Sequence, residues 1–186
     1  MQVRVDWKAV VRETPAGGLL RLRSDAAARI WPEGEVRAFA AEIGVPHSDG
    51  LFRLSSELAD RDPATPGWAF VEPMEPLPFD TAHGRFQQLG MLRQASVHVR
   101  LEDGTIWVDD PDAEVGHELI HRDLSSLSYL VYKVAAEKPL PEEDPTPYDW
   151  ADVEEIIRAD TTAWDRLPFE SGARFWEGYL EDYPLL

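Results

Sequence analysis

The chain has 186 residues, 44% of them apolar, and its seven tryptophans and lack of cysteine indicate a folded core without disulfides or thiolate zinc sites. Its 35 acidic and 18 basic residues give a formal net charge of −17, which argues against binding to nucleic-acid phosphates. The same charge favours a basic partner, or high solubility alone. Residues 137–186 hold 14 acidic and 4 basic side chains, so over half of the acidic excess lies in the last quarter of the chain.

We expect neither a signal peptide nor a membrane-spanning segment in this chain. Its first 13 residues are charged and lack the apolar segment of a signal peptide. No apolar run in the chain approaches the roughly 20 residues that span a bilayer. We therefore expect a cytoplasmic protein, folded as a single domain over residues 1–186, with no membrane or nucleic-acid partner.

Capping residues and apolar spacing predict short helices and strands along the first half of the chain. Asp6 can cap a helix through Glu13. Pro32 is placed to begin a helix through Glu42, which Gly44 then ends. The proline-rich residues 61–78 predict a long loop around one strand. That strand is expected over 68–71, further strands over 19–23 and 51–54, and a helix from Ser24 or Asp25 to Ile30, while residues 86–92 lead into the hairpin described next.

A β-hairpin is predicted over residues 96–108. Val97, Val99 and Leu101 alternate with polar residues, which is the period of a half-buried strand. Glu102–Gly104 supplies turn residues, and Thr105–Val108 is rich in β-branched and aromatic side chains. We expect this hairpin to form the centre of the fold, covered by the helix that follows it.

That helix is predicted to begin after Asp123, a favourable N-cap residue, and the second half of the chain continues with two more helices. Its apolar stripe is Ile120, Leu124, Leu127, Val131 and Val134.

Residues 137–149 contain four prolines and several acids, and predict a proline-rich acidic surface segment. The next helix starts at Asp149 or Asp152 and turns Val153, Ile156 and Ile157 inward. The last, over about 170–183, has Phe175, Trp176, Tyr179 and Leu180 on one face. This order of elements is typical of an α+β fold.

Residues His117–His121 read His-Glu-Leu-Ile-His and match the H-E-x-x-H pattern of zinc hydrolases. On a helix, imidazoles at i and i+4 share a face and can bind Zn²⁺, while the glutamate acts as general base. Here the predicted helix starts after the motif, charged Arg122-Asp123 follows it, and no later histidine supplies a third ligand. We therefore favour a strand over Glu118–His121 with no metal site, and keep a zinc-dependent hydrolase as the alternative function.

Few other residues suggest chemistry. The acidic cluster after the hairpin lacks EF-hand spacing and predicts a solvated turn that could contact a basic partner. It comprises Asp109, Asp110, Asp112 and Glu114. His47, His83 and His98 are isolated, and each is expected at the surface. No G-x-S-x-G, P-loop or G-x-G-x-x-G motif occurs, and we predict neither catalytic residues nor a cofactor.

The order of these landmarks resembles the SUKH superfamily, and within it the fourth immunity-protein group. One point of similarity is the helix that ends in a Gly-hydrophobic-Pro corner, Phe39–Pro46. Another is the strand-to-helix junction Leu119–Leu124, where the group more often has Asn-Ser-Ser-Leu than His-Arg-Asp-Leu. The remaining matches are Leu89-Gly90, the hairpin Val97–Val108 with Asp103-Gly104, and Phe175-Trp176 with Leu180.

The resemblance implies a single domain with a central, mostly antiparallel sheet flanked by helices, and no catalytic machinery. Proteins similar to this one neutralise polymorphic bacterial toxins, often nucleases or deaminases, by binding them. We therefore expect an immunity protein whose partner is a basic toxin domain. A sensor that binds a small ligand in an aromatic pocket between sheet and helices is a third interpretation.

Overall fold

The computed structural model describes residues 5–13, 18–46, 48, 50–60, 70–73, 78–109, 116–139, 146–170 and 174–182. In these residues helices pack on a mostly antiparallel sheet, which confirms the predicted α+β class. The helices are α1 (Trp7–Glu13), α2 (Ser24–Ile30), α3 (Glu35–Glu42), α4 (Leu124–Glu137), α5 (Pro147–Thr162) and α6 (Phe175–Asp182). The strands are β1 (Leu19–Leu20), β2 (Val45–Pro46), β3 (Phe52–Ser55), β4 (Phe70–Val71), β5 (Phe79–Thr81), β6 (Gly84–Leu92), β7 (Ala95–Arg100), β8 (Ile106–Asp109) and β9 (His117–His121). None of the described helices is long and apolar enough to cross a membrane.

Within the described ranges, the main sheet has seven strands in the order β4-β3-β6-β7-β8-β9, with β5 paired to the first part of β6. Among the described strands, only the β3–β4 pair is parallel. β1 and β2 form a separate antiparallel pair. The loop predicted over residues 61–78 contributes β4, while 61–69 and 74–77 lie outside the described residues.

β7 and β8 form the predicted hairpin. In its turn, Gly104 has a φ of 76° and its N–H donates to the carbonyl of Arg100 at 2.8 Å. A Cβ at this position would lie 2.9 Å from Nε1 of Trp31, so the turn requires glycine. The apolar residues that face each other across the hairpin are buried in the core, Val97 with Val108 and Val99 with Ile106.

α4 packs into the core that lies on this face of the sheet. Asp123 caps the helix as predicted, because its Oδ1 accepts a hydrogen bond from the Ser126 N–H at 3.0 Å. Ser128 Oγ lies 2.8 Å from the carbonyl oxygen of Gly44, so the helix is also anchored to the corner between α3 and β2. Leu124, Leu127, Val131 and Val134 of the predicted stripe are buried, whereas Ile120 enters the same core from β9.

The N-terminal helices follow the sequence signals with one difference. Oδ1 of Asp6 accepts hydrogen bonds at the start of α1, as predicted. α3 begins at Glu35 instead of Pro32, because Gly34 has a φ of 155°, which no helical residue adopts. Gly44 ends α3 with a φ of 71°, and a Cβ there would lie 2.1 Å from the carbonyl oxygen of Leu20.

The C-terminal helices differ from the prediction at their starts and at one buried position. Thr146 and Asp149 form a capping box, so α5 begins at Pro147, earlier than predicted. Ile156 is 44% exposed, not buried, because Ile157 occupies the inward direction and Ile156 lies about 100° away around the helix. α6 buries Trp176, Tyr179 and Leu180 as predicted. Of the predicted segment 137–149, residues 140–145 lie outside the described part of the chain.

Candidate functional site

The H-E-x-x-H motif lies in a strand and not in a helix. Its five residues form β9, which pairs antiparallel with β8. Asp123 begins the helix only after the motif has ended. The strand interpretation is therefore confirmed. In an extended chain the Cα atoms of His117 and His121 lie about 13 Å apart, which is too far for both imidazoles to bind one ion.

The two motif histidines also point to opposite faces of the sheet. A register shift in the β8–β9 pairing interrupts the alternation of side chains between them. The ring of His117 contacts Phe86, with ring centroids 6.1 Å apart, on the face away from α4. The ring of His121 contacts Trp176, with centroids 5.7 Å apart, on the helical side. The two side chains therefore do not share a face, although residues i and i+4 of a regular strand do.

Glu118, the presumed general base, caps α6. Its carboxylate accepts hydrogen bonds from the backbone N–H of Arg174 at 3.0 Å and of Phe175 at 3.2 Å. A carboxylate is favourable at this position because the N-terminus of a helix carries partial positive charge. In the part of the chain that the structure describes, no group of three or more His, Asp or Glu side chains is arranged to hold a metal ion.

His121 belongs to a buried network with Ser126, Asp165 and Trp176. The Trp176 indole N–H can only donate, and it lies 3.1 Å from Nε2 of His121, so Nε2 accepts and Nδ1 carries the proton. Nδ1 lies 2.8 Å from Oγ of Ser126, which donates to Oδ2 of Asp165 at 2.6 Å. These contacts join β9, α4, α6 and the residues after α5.

The protonation states of this network fit a structural role. Burial lowers the pKa of His121, although Asp165 partly opposes the shift. Burial disfavours the charged form of Asp165, yet the nearby His121 imidazole and hydrogen bonds from Ser126 and the Arg122 N–H lower its pKa overall. All three side chains are buried, and Ser126 donates to the acid instead of giving its proton to the histidine. The trio contains Ser, His and Asp but lacks the arrangement of a catalytic triad.

Six aromatic and histidine side chains cluster on the sheet face away from α4, and we call this cluster the aromatic–histidine strip. Successive ring contacts link them at centroid distances of 5.0 to 6.2 Å. They come from β5, β6, β7, β8, β9 and the turn before β6, so only the assembled sheet brings them together. The strip consists of Phe79, His83, Phe86, His98, Trp107 and His117.

His98 was predicted at the surface, but it is only 4% exposed. The reason is that the rings of Phe79 and Phe86 pack against its imidazole, at centroid distances of 5.0 and 6.2 Å. Burial, with a smaller contribution from the nearby His117, lowers the pKa of His98 to about 4. His83 is exposed as predicted, and His47 lies outside the described residues.

Trp107, at the centre of the strip, is held in a fixed orientation. Its indole N–H donates to Oγ1 of Thr105 at 2.9 Å, and that hydroxyl donates to Oδ1 of Asp103 at 2.7 Å. The guanidinium of Arg100 lies over the indole, 5.2 Å from the ring centroid, and pairs with Asp103. Hydrogen bonding from Arg100, together with Thr105, lowers the pKa of Asp103 to about 2.

Of the four predicted acidic contact residues, the structure describes Asp109. Its side chain is 42% exposed at the end of β8, and its Oδ1 lies 3.4 Å from Nδ1 of His117. Asp109 therefore borders the aromatic–histidine strip. Asp110, Asp112 and Glu114 lie outside the described residues.

Sequence reasoning did not find the strip. Its members are spread over 39 positions, from Phe79 to His117, and the spacing between them follows no motif. The alternation in β7 predicted only that His98 lies on the polar face of its strand. It gave no indication that β5 and β9 would add further rings to that face.

Comparison with known proteins agrees with this architecture. No curated protein and no solved structure matches the chain. The model of the SUKH-4 immunity protein family matches residues 5–182. That match includes α1 at one end, α6 at the other and the whole sheet between them. With its α+β fold and a match over nearly its full length, the chain belongs to the SUKH-4 immunity protein family.

Proposed function

We propose that this protein binds a cognate polymorphic toxin domain in the cytoplasm and blocks its activity, and that the toxin domain is basic. The family supports an immunity role. The proposal that the partner is basic rests on the net charge of −17. A toxin that acts on nucleic acid, such as a nuclease or a deaminase, needs cationic groups to hold phosphate. An acidic protein can cover such a surface and exclude the substrate.

Acidic side chains are available in two regions. Asp109 borders the aromatic–histidine strip, and we propose Asp110, Asp112 and Glu114 as further contacts because they follow it in the chain. On the exposed side of α5, Asp152 and Glu155 face solvent. Acids in either region would attract a basic toxin over a distance and speed the encounter.

Co-expression tests the proposal. The gene is expressed in bacteria together with the toxin domain encoded beside it, and survival is compared with that of cells making the toxin alone. We expect protection, and a stable complex between the protein and a catalytically inactive form of the toxin domain. Failure to protect, together with failure to form that complex, would remove the immunity proposal.

A second arm separates inhibition by binding from hydrolysis. Protection by binding should persist in Glu118→Gln, because the amide oxygen of glutamine can still accept a hydrogen bond at the start of α6. A zinc hydrolase would instead lose all activity in this variant and in the presence of a chelator. Elemental analysis of the purified protein gives an independent reading, for which we expect no stoichiometric zinc.

A further inference from the structure

We propose that the toxin domain docks on the aromatic–histidine strip, with Trp107 as the central contact and the surrounding acids facing basic groups of the toxin. This inference rests on the proposed function and assigns it a place on the molecule. Trp107, His117 and Phe79 are half-buried, and His83 is exposed, so the strip presents rings to solvent. Tryptophan and arginine are the residue types most enriched at the energetic centres of protein interfaces.

The strip is ordered before any partner arrives. The Trp107 indole is fixed by its hydrogen bond to Thr105 and by the Arg100 guanidinium above it. The ring of His83 lies 5.5 Å from that of Trp107, and the carbonyl of His83 accepts a hydrogen bond from Arg100 at 3.4 Å. A side chain already held in one rotamer loses little conformational entropy on binding, which favours affinity.

The charge around the strip suits a basic partner. Asp109 contacts His117 at one border of the strip, and Glu102 and Asp103 lie in the turn that follows Arg100. Arg100 is already paired with Asp103. A patch with half-exposed rings at its centre and acids at its rim matches a surface of Arg and Lys, since guanidinium and ammonium groups also pack favourably on aromatic faces.

The exposed side of α5 is the competing surface. It presents Ile156 between Asp152 and Glu155, and among the described residues Ile156 is the one large apolar side chain classed as exposed. Among the side chains of this helix that the structure describes, Trp150 is the one aromatic group and is half-buried like Trp107. The strip instead brings four half-buried or exposed rings together, Phe79, His83, Trp107 and His117. The strip offers ordered aromatic contacts in addition to charge, so the observations favour it over α5.

Matched substitutions on the two surfaces test the inference. Binding to the catalytically inactive toxin domain encoded beside this gene is measured by surface plasmon resonance for Asp109→Lys and Asp152→Lys. Both variants change the net charge by the same amount, so long-range attraction weakens equally in both. We expect Asp109→Lys to weaken binding by at least about tenfold, mainly through faster dissociation, and Asp152→Lys to change dissociation by less than about twofold.

Substitutions that do not change the charge provide a second comparison between the two surfaces. Trp107→Ala and His83→Ala should each weaken binding, whereas Ile156→Ala should not. His83 lies at an exposed turn, so this variant reports on docking even if Trp107→Ala loses stability. Thermal unfolding of every variant shows whether it is folded at the temperature of the binding experiment.

The outcomes separate this inference from the proposed function. If the wild-type protein binds the toxin but only the α5 variants weaken binding, the docking surface is wrong and the immunity function stands. Equal effects of Asp109→Lys and Asp152→Lys on binding, with no effect of His83→Ala, would show that only the net charge affects binding. That result would also overturn the strip as the docking surface. If the wild-type protein does not bind the toxin, the proposed function itself fails.

Discussion

Two buried histidines, His98 and His121, are held in the neutral form by different surroundings. His98 lies between phenylalanine rings on the outer face of the sheet, and burial there lowers its pKa to about 4. His121 lies in a hydrogen-bond network on the helical side, where Nε2 must accept from Trp176. Protonation of Nε2 would place two donors against each other. At the residue scale, both histidines therefore couple folding to pH in the same direction.

We predict that the free energy of unfolding decreases as the pH falls from about 6.5 to about 4. In this window the unfolded chain binds a proton at His98, with its ordinary pKa of 6.5, while the folded protein does not bind one until the pH is about 4. For this one group the loss amounts to roughly 3 kcal/mol over the window. Urea unfolding at a series of pH values measures it.

His98→Gln removes this contribution. The slope of the unfolding free energy against pH should therefore decrease by an amount that corresponds to at most one bound proton. Val97→Ala is the matched control, because it also disturbs β7 but carries no titratable group. It should lower stability at every pH and leave the slope unchanged. A slope that is identical in the wild type and in His98→Gln would contradict the neutral state of the buried imidazole.

At the scale of elements, the three long helices of the second half are capped in two ways. Asp123 caps α4, and Thr146 with Asp149 caps α5, so both caps come from residues at or next to the first turn of the helix itself. The N-terminus of α6 instead receives Glu118 of β9, which is 56 positions away from Arg174 in the sequence. This contact fixes α6 against the edge of the sheet, where Trp176 also reaches His121.

We predict that Glu118→Ala lowers the free energy of unfolding by about 1–2 kcal/mol, because two backbone N–H groups lose their acceptor. Glu118→Gln should cost less, since its amide oxygen can replace one of the two acceptors. Chemical denaturation of the three proteins gives the comparison. If both variants were as stable as the wild type, the carboxylate would not be a cap, and its presence in the motif would need another explanation.

Leu127 tests the packing of α4 on the sheet. It is fully buried in the same core as Val97, Val99 and Ile106, so truncation leaves a cavity. Leu127→Ala should lower the unfolding free energy by about 2–5 kcal/mol. Ala135→Gln, at an exposed position of the same helix, should change it by less than about 0.5 kcal/mol. A loss below about 1 kcal/mol for Leu127→Ala would mean that α4 does not contribute to the core in this way.

At the scale of the whole molecule, charge is unevenly distributed along the chain. Residues 137–186 carry a net charge of −10 out of a total of −17. In the described part of this region, Arg158 forms ion pairs with Glu154 and Glu177, and Lys133 of α4 pairs with Asp160. The four basic side chains of residues 137–186 cannot neutralise the 14 acids of the same region, so the region contributes to a negative field around the protein.

We predict that the rate of association with the catalytically inactive toxin domain falls more than about tenfold between about 0.05 M and 0.5 M salt, while dissociation changes less. Screening shortens the range of attraction to about 10 Å at 0.1 M salt, so it slows the encounter more than it weakens contacts already formed. Stopped-flow or surface plasmon resonance measures both rates. Equal dependence of both rates on salt would argue against electrostatic steering of a basic partner.

The sequence by itself determined the features that depend on neighbouring residues. The alternation in β7, the turn at Gly104, the cap at Asp123 and the end of α3 at Gly44 were all predicted, because each depends on chain-local hydrogen bonds or side-chain period. The same local reasoning placed the H-E-x-x-H motif in a strand before the helix.

Only the tertiary structure decided which faces are covered and which distant residues meet. Polar periodicity put His98 at the surface, but β5 and β6 bring two phenylalanine rings against it. A register shift in β9 turns His117 and His121 to opposite faces, and α6 takes Glu118 as its cap. Such outcomes depend on contacts between residues far apart in the chain. The period of one strand or helix carries no information about the element that packs on it.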